Sequence, residues 1–353
     1  MKKVLLDARM VSEIPHGIAK YVEGIAQGFL QMKSELGFEP VFLLSEKGPI
    51  LSKPWSEFSV VTASSPFLSP KEWVEIPKIL DQEKIDLYHS TSLSALPFCP
   101  VPHVLTLHDL NHLHFGGLDK KIYYNTVLKK FARSARALMT VSEFSRTEIA
   151  EWLGMDAAKI SVTYNSFDPP ADADVKLLAG YGIQHEKFFF TLSGTKSHKN
   201  LGALLEAYSL YREQAGAGAM PLVMTAQTQS TPGVIGLGSV SDPILLQTLI
   251  SQSRGFFFPS LYEGFGRPPV EAAIAGARLA VSDIPPHREG LSMLLPAQVR
   301  WVQPKDIADW ARAFHDLSEG RVERVSGDIS SKLLSAYSSL SLAREVVKAY
   351  QPL

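Results

Sequence analysis

Pro259-Ser260-Leu261-Tyr262-Glu263-Gly264-Phe265-Gly266-Arg267-Pro268-Pro269-Val270-Glu271 is the stretch whose reading decides the fold. Ahead of it stands Gly255-Phe256-Phe257-Phe258, a short aromatic run of strand formers that reads as a buried strand. Pro268 and Pro269 suit the first turn of a helix, where a missing N–H costs nothing. The helix then runs through Val270, Glu271, Ala272, Ala273, Ile274 and Ala275 and stops at Gly276. Glu263 is therefore placed in the loop after a strand, and Glu271 in the first turns of the next helix. A polar pocket beside a helix N-terminus welcomes a phosphate group.

Outward from this point, short apolar runs alternate with longer amphipathic stretches. Residues 4–6, 41–44, 87–89, 104–107 and 138–141 read as strands, with a helix over roughly 18–31. The pattern resumes at 188–192, 222–224 and 278–281. Such alternation implies doubly wound parallel sheets covered by helices on both faces, an α/β architecture. Residues 165–172, with Pro169 and Pro170, interrupt it and form the best linker. The halves, 1–167 and 173–336, are each sufficient for one α/β domain, and ligands are expected in a cleft at the C-terminal ends of the strands. No internal repeat is visible.

Bulk properties narrow the function classes. A chain of 353 residues, 45% hydrophobic and 20% charged, is a globular protein with two domains by default. A net charge of -1 argues against nucleic-acid binding, which wants a strongly basic footprint. No apolar run is long enough to span a membrane. Met1-Lys2-Lys3 and the three apolar residues before Asp7 read as a first strand, not a signal peptide. The single cysteine, Cys99, permits no internal disulfide and fits a reducing compartment. The expected location is the cytoplasm.

Other constellations carry chemistry. In Thr191-Leu192-Ser193-Gly194-Thr195-Lys196-Ser197-His198-Lys199-Asn200-Leu201, small residues let backbone approach a ligand and Lys199 supplies a cation before the next helix. A diphosphate leaving group needs such a clamp; a solvated strand–helix turn is the plainer alternative. Thr106-Leu107-His108-Asp109-Leu110 ends a strand in a histidine that can meet a sugar hydroxyl or developing positive charge, or simply be satisfied by backbone. His103, His112 and His114 match no metal-ligand spacing, so no metal site is expected. Pro15-His16-Gly17-Ile18-Ala19-Lys20-Tyr21 offers Gly17 for close approach to a phosphate, or as a plain turn. It lacks the Gly-x-Gly-x-x-Gly fingerprint, which disfavours a nicotinamide-dependent dehydrogenase. Lys120, Lys121, Lys129, Lys130, Arg133 and Arg136 form a basic segment, with Lys129, Arg133 and Arg136 expected on one helical face. It suits an anionic membrane surface or, more plainly, solvent.

Together and in this order, these residues resemble the family 4 retaining glycosyltransferases of the GT-B fold over nearly the whole chain. The match lies in Glu263 and Glu271 as Glu-x7-Glu, the flanking Pro-Ser-x-x-Glu-Gly-Phe-Gly-x-Pro, and the later Ala273-Ile274-Ala275-Gly276. Val141-Ser142-Glu143-Phe144-Ser145 is similar to the family's strand end, residues 159–165 to its pre-linker segment, and Lys199-Asn200-Leu201 to its phosphate loop. Residues 341–347 are similar to its final helix, which implies that 337–353 cross back to the first domain.

The resemblance implies two Rossmann-like domains, the first for the acceptor and the second for a nucleotide-sugar donor. It implies that Glu271 accepts from ribose hydroxyls and Glu263 holds a hydroxyl of the transferred sugar. Backbone N–H groups of Gly264, Phe265 and Gly266 would meet sugar or phosphate, Lys199 the diphosphate, and His108 the region of the anomeric carbon. Gly17, Gly194 and Thr195 complete the expected donor site. A glycan or lipid-linked acceptor, no cofactor and no bound metal are implied, with mannose the preferred hexose on the similarity of His89 and His108-Asp109 to the mannosyltransferase branch. Many members carry Arg where this chain has Gly194, and Lys196 and Arg267 are the candidate replacements. Residues 225–232 are shorter than in the family and lack its common glycine; they precede Gly236-Leu237-Gly238-Ser239-Val240, near where the family reads the base, which leaves the base open. A GT-B nucleotide-sugar epimerase and a degenerate nucleotide-sugar binder are the alternatives; retention of Glu263, Lys199 and His108 argues for transfer.

Overall fold

The computed structural model describes residues 1–11, 16–48, 52, 54–192, 194, 196–225 and 231–351. The chain divides into two compact units, Met1–Phe167 with Tyr337–Leu353, and Asp168–Ala336.

The first unit holds a seven-stranded sheet of order β3-β2-β1-β4-β5-β6-β7, parallel throughout. Its strands are β1 (Lys2–Asp7), β2 (Phe38–Ser45), β3 (Ser59–Ala63), β4 (Leu87–Ser90), β5 (His103–Thr106), β6 (Ala137–Thr140) and β7 (Ile160–Val162). Val4, Leu5 and Leu6 are all fully buried, as a strand covered on both faces requires. The helices are α1 (Gly17–Gln31), α2 (Glu72–Gln82), α3 (Asn111–Phe115), α4 (Leu118–Tyr123), α5 (Lys129–Ser134) and α6 (Glu143–Leu153), with a π-helical turn over Tyr124–Leu128 joining α4 to α5. Leu128 and Phe131 pack into the core that Leu5, Tyr88, Leu105 and Leu138 bring from the sheet.

One sequence expectation fails here. α5 ends at Ser134, Ala135 turns to extended backbone, and Arg136 N donates to His103 O at 2.8 Å. Arg136 therefore lies outside the helix and shares no helical face with Lys129 and Arg133. The pull of the next ladder, which pairs β6 with β5, outweighs continuation of the helix.

The second unit holds a six-stranded parallel sheet of order β10-β9-β8-β11-β12-β13. Its strands are β8 (Phe189–Thr191), β9 (Leu222–Met224), β10 (Val234–Gly236), β11 (Gly255–Phe258), β12 (Leu279–Ser282) and β13 (Val299–Val302). Around it lie α7 (Lys176–Ala179), α8 (Leu201–Ala215), α9 (Pro243–Ser251), α10 (Arg267–Ile274), α11 (Pro285–Gly290), α12 (Ile307–Ser318) and α13 (Gly327–Ala336). Phe257 stacks on Phe314 with centroids 4.0 Å apart, and Phe189 meets both edge-on. Each such buried ring contributes roughly 1.5–3 kcal/mol of hydrophobic stabilisation, which fixes α12 on the strands that carry the site.

The final helix, α14 (Ser339–Tyr350), belongs to the first unit and lies along α1. Contact is close because α1 has glycine at the crossing: a Cβ on Gly28 would stand 2.1 Å from Ser339 O. Tyr350 OH meets His89 Nδ1 at 2.7 Å, and His89 Nε2 meets Thr106 Oγ1 at 2.8 Å. Phe167 N donates to Tyr337 O at 3.0 Å, joining the two points where the chain leaves and re-enters this unit.

In each sheet the chain winds outward from its first strand and then reverses, so that β1 lies beside β4 and β8 beside β11. Loops leaving such a pair diverge to opposite faces and open a crevice at the strands' C-terminal ends, where open α/β sheets take their ligands.

Candidate active site

In the second unit the reversal point separates β8 from β11, and both glutamates and Lys199 follow from that fact. The chain leaving β8 passes Gly194 and Lys196, makes a 3-10 turn over Ser197–Lys199, and enters α8. The chain leaving β11 passes Glu263 and enters α10. Leu261 N donates to His198 O at 2.7 Å, which clips the two loops together. Lys199 Nζ then donates to Glu263 Oε1 at 2.7 Å and sits 5.3 Å from the centroid of Phe258. A Cβ on Gly194 would stand 3.6 Å from Lys199 Cγ, so Gly194 borders the lysine stem. Burial works against the Glu263 charge, but Lys199 outweighs it and holds the carboxyl below its ordinary range. Glu263 is thus an ionised acceptor of hydrogen bonds and not a general acid.

Glu271 lies one turn into α10, and its Oε1 accepts from Arg267 Nη2 at 3.1 Å, an i,i+4 pair. Phe265 is buried, while Gly266 caps α10 in the left-handed region at φ 86°. A Cβ on Gly266 would come within 2.5 Å of His287 Cδ2, so conformation and space both require glycine there. His287, on α11, is a residue the sequence reading did not single out. It is 1% exposed, and its Nδ1 lies 2.9 Å from Ser282 O, where the ring must donate. Burial pushes its pKa down to about 4, so the ring is neutral with Nε2 as an acceptor on the side of Gly266. A histidine just past a Pro-Pro helix start is the only sequence sign of it.

Two expected residues lie in the first unit. Gly17 is the first residue of α1, capped by His16, whose Nδ1 accepts from Ala19 N at 3.4 Å. One turn on, Tyr21 meets the His108 ring edge-on with centroids 4.8 Å apart, and its hydroxyl lies 2.7 Å from Thr163 Oγ1. His108 stands two residues beyond β5 and its Nε2 donates to Thr91 O at 2.9 Å. That nitrogen is satisfied by backbone, as the plainer reading of the strand end has it; the bond also fixes the ring's orientation. Thr195, Ser193 and residues 226–230, within the shortened segment that precedes residues 236–240, lie outside the described residues.

At the C-terminal ends of β1 and β4 lies a buried charge cluster that sequence reasoning also missed. Arg9 binds Asp7 in bidentate fashion at 2.9 and 2.7 Å and reaches Glu72 Oε2 at 3.0 Å; Tyr88 OH donates to Asp7 Oδ2 at 3.0 Å. Asp-x-Arg at the end of the first strand was the available signal. The histidines near His108 are otherwise engaged: His103 Nε2 meets Phe131 O at 3.0 Å, and His114 meets Glu148 Oε1 at 3.1 Å. Among the described residues no group of three or more His, Cys, Asp or Glu is arranged to hold a metal ion, and no helix is long and apolar enough to cross a membrane.

Residues 15–170 match the family model for Glycosyltransferase Family 4, and residues 186–319 match that for Glycosyl transferases group 1. The chain is 25% identical over 227 residues to the O-antigen chain mannosyltransferase RfbU of Salmonella typhimurium, covering 61% of this chain and 60% of that protein. It is 26% identical over 220 residues to the O-antigen chain mannosyltransferase B of Escherichia coli, covering 56% of this chain and 57% of that protein. The alignments thus span somewhat over half the length of these relatives. Among solved structures, Anabaena HepE in complex with UDP and glucose superposes with a TM-score of 0.73 at 16% identity, over 100% of both chains. Sucrose-phosphate synthase of Thermosynechococcus elongatus superposes with a TM-score of 0.74 at 14% identity, over 99% of this chain and 98% of that one. At such identities the likeness concerns the fold alone, parallel-sheet α/β units of the same kind.

Proposed function

The chain belongs to the family 4 glycosyltransferases of the GT-B fold, and on that premise we propose that it moves a hexose from a nucleoside-diphosphate sugar to a glycan or lipid-linked acceptor with retention of anomeric configuration. The observation that carries the reading is the Lys199–Glu263 pair at the β8–β11 reversal point. A cation and an ionised acceptor side by side suit a substrate with a diphosphate at one end and sugar hydroxyls at the other.

In this reading Glu271 accepts from the ribose hydroxyls and Glu263 from a hydroxyl of the transferred sugar. Backbone N–H groups of Gly264, Phe265 and Gly266 serve sugar or phosphate at the start of α10. Lys199 turns from Glu263 to the diphosphate, with Gly194 and Thr195 allowing close approach. Lys196 is the proposed stand-in for the family arginine, because Arg267 is held by Glu271. Gly17 and His108 act from the acceptor unit, His108 near the anomeric carbon.

The acceptor oxygen bonds to the anomeric carbon as the bond from that carbon to the diphosphate oxygen breaks. The acceptor's proton passes to the departing phosphate on the same face, and a nucleoside diphosphate leaves. Positioning and charge stabilisation supply the rate enhancement, with no covalent intermediate and no bound metal. Mannose is the preferred hexose, supported by the mannosyl activity in the names of both relatives; polysaccharide assembly and a cytoplasmic site of action are part of the same proposal.

A thermal-shift screen of GDP-, UDP- and ADP-sugars tests the donor, followed by NMR of the product's anomeric proton. A shift with one nucleotide class and a retained configuration are expected. No shift with any would overturn the donor reading, a shift without transfer to any acceptor would favour the degenerate binder, an inverted product would overturn retention, and release of an altered sugar without acceptor would mark an epimerase.

A further inference from the structure

Apart from Met1, every large apolar side chain of the first unit that is exposed among the described residues comes from three connections: β3 to α2, β4 to β5, and β5 to α5. The first supplies Leu68 and, in the first turn of α2 that it leads into, Trp73 and Val74, with Val74 59% exposed; the second supplies Phe98, 73% exposed. The third supplies Phe115, Leu118 and Ile122, with Leu118 at 74%. Each connection leaves a strand's C-terminal end, and in a parallel sheet these ends share one edge; Leu68 and the first turn of α2 follow β3 there, and Phe115, Leu118 and Ile122 follow β5, whereas Phe98 stands nearer the start of β5 and is not counted in the face.

Polar bonds tie these connections into one surface. Ser94 Oγ, in the β4–β5 connection, donates to Glu72 Oε1 at 3.2 Å, beside Trp73. Tyr123, beside Ile122, donates from its hydroxyl to Leu93 O at 2.6 Å and accepts from Ala95 N at 3.2 Å. The same surface is basic. Lys71 precedes Trp73 and lines a pocket of about 310 Å³ with Val74 and Lys78, while Lys120 and Lys121 stand exposed between Leu118 and Ile122. The acids in α2 beside it are occupied: Glu72 by Arg9, and Glu75 by the backbone N–H groups and a hydroxyl of Ser64 and Ser65. Asp119 is the one carboxylate among Leu118, Lys120, Lys121 and Ile122.

We propose that this edge is a docking face for an anionic lipid bilayer, with Leu118 and Ile122 entering the interface and Lys120 and Lys121 meeting lipid phosphates. Exposed apolar side chains interleaved with lysines, and a Trp among them, are what an interfacial surface requires, whereas a purely solvated charge run has no use for Leu118 and Ile122. The face extends the lipid-linked acceptor reading of the proposed function, since it would bring the acceptor unit to such a substrate, but bilayer binding does not depend on transfer.

The test is co-sedimentation of the full chain with vesicles of phosphatidylcholine containing about one-third phosphatidylglycerol, against phosphatidylcholine alone. Binding to the anionic vesicles, weakened by salt, is expected. The double variant Lys120→Gln, Lys121→Gln should lower partitioning on the order of twenty-fold, and Leu118→Ser, Ile122→Ser by at least about ten-fold. Both pairs are exposed, so melting temperature should not move. Absence of vesicle binding, or binding indifferent to both variants, overturns the proposal. So does conversion of a dimer to a monomer by Leu118→Ser, Ile122→Ser, which would assign the face to a second copy of the chain. Nucleotide-sugar thermal shifts on the same samples separate the two failures: a shift without vesicle binding sinks only the docking face, and vesicle binding without a shift sinks only the donor reading.

Discussion

Lys199 and Glu263 share a 2.7 Å hydrogen bond across the reversal point of the second sheet, although 64 residues separate them in sequence. Their side chains are 24% and 14% exposed, so the pair stands between a surface ion pair and a buried one. Lys199→Met should therefore cost about 1–3 kcal/mol in urea denaturation, more than an exposed pair and less than a fully buried one. Transfer should fall by about 100-fold or more if the cation meets the leaving diphosphate. Stability loss with unchanged transfer would make the lysine structural.

Among the described residues Glu271 pairs with Arg267 one turn earlier, and it is 40% exposed at its side chain. Glu271→Ala should accordingly leave the fold intact. Calorimetric donor affinity should weaken by roughly ten-fold or more, the worth of a hydrogen bond to a charged group. Glu263→Ala should instead lower turnover at saturating donor more than it lowers affinity. Equal donor binding and turnover in both variants would remove the two acids from the site.

What the sequence made legible has a physical boundary. Central strands such as β1 and β11 are buried on both faces, so they appear as continuous apolar runs. The four strands the sequence reading passed over, β3, β7, β10 and β13, are the four sheet edges. Val234 and Ile235 of β10 are only partly buried, and β7 exposes Ser161, so apolar patterning there is weak. At the site, Glu263, Glu271 and Lys199 were legible because each stands in a short strand–turn–helix segment. His287 was not, because its importance comes from touching Gly266 across 21 residues of chain. Asp7, Arg9 and Glu72 escaped notice because isolated charges are expected at the surface, and only their mutual pairing makes burial tolerable.

Gly266, where the loop after β11 enters α10, tolerates no side chain without strain. Its φ of 86° and the 2.5 Å approach of a Cβ to His287 make Gly266→Ala strained in two ways. A loss of about 1–3 kcal/mol is expected, with weakened donor binding because Glu263 lies on the same loop. His287→Ala as a second change should return the steric share but not the conformational one. A double-mutant cycle with a coupling of about 0.5–3 kcal/mol would show the contact, and strict additivity would exclude it.

The buried histidines set the acid side of stability. Burial lowers His287 to about 4 and His89 to about 3, the latter between Tyr350 and Thr106. In the unfolded chain both take up a proton near pH 6.5. Between pH 6.5 and about 4 the unfolded state therefore binds more protons than the native state, and stability falls as pH falls. Each histidine should remove on the order of 2 kcal/mol between pH 7 and pH 5. Glu263 acts lower: its depressed carboxyl contributes stability above its unfolded value near 4.5, lost only as pH falls through its folded value. Urea midpoints at pH 7 and pH 5 separate the windows. The unit holding each histidine should lose stability between them, and His287→Gln should flatten the profile of the second unit while leaving that of the first unchanged. A wild-type profile flat over this range would show that the rings take up protons in the folded state, and the neutral Nδ1-donating form of His287 beside Gly266 would have to be abandoned.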